Sequence, residues 1–328
     1  MLGLERAIGI RWDYHPDAVT YVTDYAAVVQ GGWLTLPNNL YYFVAYAVGG
    51  SAAALIVINM IVYSLTNVLI ANSFHQYARV TRIRGLRYLV LLVVLLFAPY
   101  RLHLAVHGLK DTLIISSLFV IASASYASWI GWIPMLLLRI YAVLYSLLFL
   151  PRRKMLLALI LGIAILLLLG LQKDVTEFLL TRSEVAMGGR AFDQVPSFAA
   201  LGITGAILRA VLWPLLALSG GFLLVSPSFA YAPIALDLIV SRLWCRNAVH
   251  TLGVTAGVLA CLSIIALSVN SFTAYIRYCY PVIAAIPLML MRQRLALQAS
   301  VNGPISRRAK GPTLEQRRDM ADGGARLA

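Results

Sequence analysis

Pro99-Tyr-Arg-Leu-His-Leu-Ala-Val-His-Gly-Leu-Lys-Asp111 is the stretch whose reading decides the fold. It is a polar interruption between two apolar runs, Tyr88 to Ala98 and Thr112 to Ser128. Proline has no amide hydrogen to give a helix, so Pro99 predicts a helix stop. A carboxylate accepts the orphan amide hydrogens of a first helical turn, so Asp111-Thr112 predicts a helix start. Between them stand Arg101, His103, His107 and Lys110. Charge is costly in hydrocarbon, so these polar side chains, crowded at a helix junction with Asp111, mark a candidate site at a membrane rim.

Composition supports the membrane. The chain has 328 residues, 61% hydrophobic and 12% charged, with a mean hydropathy of +0.82. Soluble domains carry about a quarter charged residues, so a soluble class is excluded. The net charge of +14 does not imply a nucleic-acid partner, because membrane proteins concentrate Lys and Arg on their cytoplasmic side. Cys245, Cys261 and Cys279 lack metal-type spacing and read as small core residues without a disulfide. Met1 to Ile10 is too short and too charged for a signal peptide.

Outward from the centre, Ser51 to Ala71 has the length a bilayer demands, and the loop after it carries Arg79, Arg82, Arg84 and Arg87 without an acid. Tyr88 to about Tyr100 and Thr112 to Ser128 are the next spans. Trp129 to Leu150 is apolar but holds Pro134 and Arg139, and it ends at Pro151-Arg-Arg-Lys154. Met155 to Leu171 reads as a span and Gln172 to Ser197 as a polar loop. Leu201 to Val225 is interrupted by Arg209, Pro214 and Gly220-Gly221. Phe229 to Trp244, Thr251 to Val269 and Tyr278 to Met291 complete the spans.

The basic segments at 73–87, 151–154 and the tail place those parts in the cytoplasm. Glu5, Asp13, Asp17, Asp24, Asp111, Asp174, Glu177, Glu184 and Asp193 then fall on the outer side. Parity puts 129–150 in the cytoplasmic interface and makes 201–225 re-entrant from outside. The expected fold is an all-α polytopic integral membrane protein with about 7–9 transmembrane or re-entrant helices. Three regions result: an outer-face segment 1–51, a helical membrane domain 52–292, and a disordered basic cytoplasmic tail 293–328. A charged head that crosses without a span of its own predicts a gene beginning upstream with a further apolar helix, or a truncated product.

The head carries Trp12-Asp13-Tyr-His-Pro-Asp17, then Tyr21 and Asp24. A carboxylate at a membrane surface can take a proton from a hydroxyl, or hold a divalent cation against a phosphate. Asp13 and Asp17 are therefore candidates, although His-Pro-Asp is also an ordinary turn. His103 and His107 share a helical face. With Asp111 they suggest a metal set, but no Glu completes a zinc pattern and Gly108 ends the helix before Asp111. Interfacial histidines bonded to lipid phosphate are commoner, so Arg101, His103 and Lys110 read as phosphate contacts.

Arg277-Tyr278 opens the last span. A cation at a helix N-terminus opposes the macrodipole and calls for an anion, though Arg and Tyr also anchor helices at interfaces. Arg209 and Asp237 lie inside apolar runs and are functional candidates by default, unless they merely neutralise one another. The chain has no P-loop, dinucleotide fingerprint or Ser-His-Asp signature, and no inverted pair of broken helices.

The order of short motifs resembles a known group. His15-Pro-Asp17-Ala-x-Thr-Tyr21 and Asn38-Asn-Leu-Tyr-Tyr42 precede the first span. Pro99, Gly108-Leu-Lys-Asp111-Thr-Leu, Trp213-Pro214 and Ile276-Arg-Tyr278-x-x-Pro281 follow. The pattern is similar to bacterial polysaccharide-assembly membrane proteins: lipid-carrier-dependent glycosyltransferases of the GT-C class, and O-antigen and exopolysaccharide polymerases. The resemblance spans roughly residues 10 to 292. It implies a GT-C-like fold in the bacterial inner membrane, a polyprenyl-phosphate-linked sugar as substrate, and other polysaccharide-assembly proteins as partners.

By the same resemblance Asp17 matches the first-loop acid of GT-C enzymes and Arg277 the Arg-Tyr of the last span. Two departures are visible. No span precedes the first loop, and the loop lacks a clean Asp-x-Asp, which leaves the base open between Asp13 and Asp17. The expected roles are Asp17, Asp13 and His103 in catalysis, and Arg101, His107, Lys110, Asp111, Arg277 and Tyr278 in substrate binding. A divalent cation enters only if the carboxylates ligate one. The competing class is a transporter or flippase of lipid-linked sugars. It calls for charge along a path through the spans, whereas the polar groups cluster at one face.

Overall fold

A computed structural model describes residues 16–123, 128–139, 198–225, 234–237, 252–269 and 271–309, with scattered positions between 144 and 177. Every regular element among the described residues is helical. The longest early helix, α4 (Ala52–Thr81), has 30 residues, about 45 Å at 1.5 Å per residue. Ser51 caps it, its hydroxyl accepting from the Ala54 amide at 3.3 Å. Leu55, Asn59, Tyr63, Thr66 and Ile70 are buried, while Val57, Ile61, Leu65 and Val68 are exposed. Asn59 and Thr66 are buried against the protein while a row of aliphatic side chains faces out, the reverse of what water favours.

The same inversion recurs in α9 (Gly202–Ser219), where Ile207, Val211 and Leu215 face out and Arg209 and Trp213 are buried. Among the described residues, four helical segments are long and apolar enough to cross a membrane: Ala52–Thr81, Gly85–Val106, Gly202–Ser219 and Ala274–Gln298. The segment 201–225, expected to be re-entrant, instead holds an uninterrupted 18-residue helix that continues through Pro214.

From residue 16 onward the head is helical and docked. Short helices α1 (Pro16–Thr23), α2 (Tyr25–Gln30) and α3 (Leu40–Ala47) lead into α4. The chain then returns in two pieces, α5 (Gly85–Leu96) and α6 (Pro99–Val106). The break falls where Pro99 predicts it. A broken helix in hydrocarbon must find partners for its freed backbone groups. The Leu96 carbonyl accepts from the Tyr63 hydroxyl at 2.9 Å and from Arg101 Nη2 at 3.1 Å. The Tyr100 amide, in the first turn of α6, donates to Asp237 Oδ2 at 3.3 Å.

Gly108, at φ +63°, turns the chain into α7 (Asp111–Ser123). This helix is buried on most sides, between α4, the next helix α8 (Ser128–Leu138) and the last helix α11 (Phe272–Ala309). It runs parallel to α4, since Asn59 meets Leu109 and Thr66 meets Ser116. It also runs parallel to α11: Arg277 reaches Asp111 at one end, and Arg292 Nη1 donates to the Ile121 and Ala122 carbonyls at the other. Those contacts satisfy carbonyls that the end of α7 leaves open.

Within 129–150, expected in the cytoplasmic interface, the described residues form α8 as far as Leu138. It lies antiparallel against α7, with Gly131 beside Ser117 and Ile121, and Arg139 beside Asp111. A Cβ on Gly131 would stand 2.6 Å from the Ser117 carbonyl oxygen, so only glycine permits this approach. Helix α10 (Leu252–Ser268) packs between α9 and α11. Helix α11 runs to Ala309, past residue 293, where a disordered tail was expected.

The bundle has two unlike ends. One carries Arg79, Arg82, Arg84 and Arg87, with Arg292 and Arg294 of α11 on the same side. The other carries α1, α3 and the 107–110 turn. The loop 172–197 and the Pro151-Arg-Arg-Lys154 knot lie largely outside the described residues.

Candidate functional site

The 107–110 turn is held from below. Tyr41 donates its hydroxyl hydrogen to the Gly108 carbonyl at 2.7 Å, and Asn59 Nδ2 donates to the Leu109 carbonyl at 2.9 Å. Both side chains are buried. Tyr21 of α1 packs edge-on against Tyr41 and Tyr42, with ring centroids 4.6 and 5.1 Å apart. Burial, reinforced by Asp17 and Asp111, raises the Tyr21 phenol well above its ordinary range and keeps it neutral.

This turn presents Lys110 and Asp111 to three other elements. Asp111 Oδ1 accepts from Arg139 Nη1 at 3.0 Å. Asp111 Oδ2 accepts from Arg277 Nε at 2.8 Å and Nη2 at 2.6 Å. The same Arg277 Nη2 stands 2.8 Å from Asp17 Oδ2. The aspartates differ in setting, for Asp111 is 0% exposed and Asp17 is 42% exposed. The Tyr278 ring lies under the Arg139 guanidinium, 4.2 Å from its central carbon, a cation–π contact that favours the charge where water is scarce. Tyr145 donates to the Tyr278 carbonyl at 3.0 Å.

The Lys110 ammonium belongs to the same field but, among the described residues, makes no hydrogen bond or ion pair. Burial, followed by the nearby Arg139, pushes its ammonium down to about 8. Among the described residues, Lys110, Arg139 and Arg277 set against Asp17 and Asp111 leave one positive charge over, a balance suited to an anion.

Of the residues expected at the site, Asp17, Lys110, Asp111, Arg277 and Tyr278 come together. Asp13 lies outside the described residues. His103 and His107 are not interfacial: they are 7% and 1% exposed, with rings 4.3 Å apart at the C-terminal end of α6 and Tyr100 stacked on His103. Arg101 is also displaced from the expected rim. It is 2% exposed and bonds Asn67 Oδ1 at 2.5 Å. Asn67 lies eight residues, about 12 Å, further along α4 than Asn59. The reason is the helix break, whose free carbonyls need a donor there.

Asp237 does not neutralise Arg209. It accepts from Tyr280 at 2.6 Å and from the Tyr100 amide, while Arg209 lies over the Trp213 ring. Among the described residues no three His, Cys, Asp or Glu side chains come close enough to hold a metal. Sequence reasoning passed over Arg139, Tyr41, Asn59 and Asn67 as site or support residues. The available signal was the presence of a cation and amides within apolar helices.

Fold and site together define an all-helical protein with membrane-type helices and a buried ion cluster at the end opposite its arginine-rich loop. Compared with models of known families, with curated proteins and with solved structures, the chain matches none.

Proposed function

We propose that the protein is a membrane glycosyltransferase or polysaccharide polymerase with a GT-C-like arrangement of about 7–9 helices, acting on polyprenyl-phosphate-linked sugars at the outer face of the bacterial inner membrane. The observation that carries this reading is the Asp17–Arg277–Asp111–Arg139 cluster with Lys110 beside it. The arginine-rich loop at the opposite end supports an outer-side position for the cluster, since Lys and Arg favour the cytoplasmic side. Lys110 and Arg277 hold the donor's phosphate, a charge-assisted contact. Asp111 and Arg139 keep Arg277 in place. Arg101 drops out of the phosphate contacts because it serves the helix break.

In the transfer step the acceptor hydroxyl oxygen bonds to the anomeric carbon as the bond from that carbon to the phosphate oxygen breaks. The phosphate leaves with the electron pair, steadied by Lys110 and Arg277. The hydroxyl proton goes to a base, for which Asp17 is the carboxylate of the cluster with exposed oxygens.

The test is complementation of a deletion strain at matched protein level, with surface polysaccharide as the readout. Lys110→Gln and Arg277→Gln should each lower product about ten- to a hundredfold. Normal product from both variants would remove the reading. The flippase alternative draws on one observation, the buried Arg101 and Asp237 within the spanning part. It predicts that lipid-linked sugar accumulates unpolymerised on the cytoplasmic leaflet of the deletion strain.

A further inference from the structure

We propose that the Asp17 carboxylate is an exchangeable counter-ion, filling the position a ligand phosphate takes on Arg277 and leaving when a dianionic phosphate group arrives. This rests on the anion-site reading above and deepens it. Arg277 Nη2 donates to Asp111 Oδ2 at 2.6 Å and stands 2.8 Å from Asp17 Oδ2 as an ion pair without a hydrogen bond. The two pairings are not equally durable. Asp111 is fully buried, receives Arg277 through two nitrogens and is fixed from the other side by Arg139. Asp17 is 42% exposed and reaches Arg277 through one nitrogen. Exposed pairs of this kind hold weakly, whereas stripping a buried charge of its partner is strongly resisted. A competing anion therefore displaces Asp17 and leaves Asp111.

Charge selects the incoming group. Counted over the described residues, the cluster carries one surplus positive charge with Asp17 in place. Once Asp17 turns to solvent the surplus is two, which a dianionic phosphate balances and a carboxylate does not. Lys110, which makes no ion pair among the described residues, supplies the second cation that Asp17 leaves unused. The exchange needs only rotation of one side chain in the first turn of α1. The helix itself stays docked through Tyr21, which is 2% exposed between Tyr41 and Tyr42.

The probe is inorganic pyrophosphate, titrated by calorimetry into the full-length protein in nanodiscs at constant ionic strength. Thermal unfolding of each variant confirms that it is folded. Asp17→Asn should bind pyrophosphate about fivefold more tightly or better, because a competing charge is gone. Lys110→Gln should bind it more weakly than wild type. Unchanged or weaker binding by folded Asp17→Asn, with wild type binding normally, overturns the exchange and leaves the anion site standing. Binding by neither protein overturns both.

Discussion

Asp111 and Arg139, 28 positions apart, meet at 3.0 Å where the start of α7 adjoins the end of α8. Both are nearly inaccessible, at 0% and 3% exposed, and Asp111 also holds Arg277 from α11. One carboxylate thus ties three helices together in a place where charge is costly. Asp111→Asn preserves shape and removes the charge, leaving Arg139 without its carboxylate. The expected cost is about 3–5 kcal/mol, read as lost folded protein in size-exclusion and thermal unfolding. The double variant Asp111→Asn with Arg139→Gln should unfold at a higher temperature than Asp111→Asn alone. A mild Asp111→Asn phenotype would show that Asp111 acts only as a helix start, where Asn serves about as well as Asp.

Lys110 gives the site a pH signature. Its ammonium is pushed down from 10.5 to about 8, so in the folded protein it loses its proton as pH rises through about 8. The proposed phosphate binding needs the charged form, and the kcat/KM of the proposed transfer, which reports the free protein, should fall across that window. Stability moves the other way. From about pH 8 to 10.5 the unfolded chain binds more protons than the folded one, so this residue's contribution rises with pH. Lys110→Arg, charged throughout, should flatten both curves. The check is a pair of profiles, activity and unfolding midpoint, for wild type and variant.

Tyr41 and Asn59 act on the site through the 107–110 turn. Tyr41→Phe leaves the Gly108 carbonyl without its hydroxyl donor, and Asn59→Leu does the same to Leu109. Each should cost about 1–3 kcal/mol of stability. Activity should fall further than stability does, because Lys110 and Asp111 follow the turn. Asn59→Gln, which keeps a donor, should recover part of the activity.

Arg101 and Lys110 should separate cleanly. Arg101→Gln removes the guanidinium that serves the Leu96 carbonyl and Asn67, so its main effect should be on folding, about 1.5–3 kcal/mol. Lys110→Gln touches no side-chain hydrogen bond among the described residues and removes a partly desolvated charge, so the unfolding midpoint at neutral pH should be at or above that of wild type. Comparing specific activity per folded molecule distinguishes a site residue from a support.

The helix limits around the centre were legible because they are local. Pro99 lacks an amide hydrogen, Gly108 accepts a positive φ, and Asp111 suits a first turn. Lys110, Asp111 and Arg277 were legible because charges in an apolar chain are few. Arg139 was seen but assigned to an interface, since its partner Asp111 comes from another helix and no spacing reveals that pairing. Arg101 was misplaced for a related reason. Next to Pro99 it reads as one more rim cation, and only the break in three dimensions shows that its guanidinium reaches back toward Asn67. Tyr41 and Asn59 are common residues whose importance lies in the carbonyls they meet.

The central claim is that the Lys110–Arg277 cluster binds a lipid-linked sugar donor and transfers its sugar. Purified protein in sealed vesicles, supplied with polyprenyl-diphosphate-linked oligosaccharide and assayed for new glycosidic linkages, tests it most directly. Wild type should form product, with Lys110→Gln and Arg277→Gln each slower by about ten- to a hundredfold. Folded wild-type protein that forms no linkage but carries the labelled lipid from one leaflet to the other would contradict the account and assign the cluster to transport.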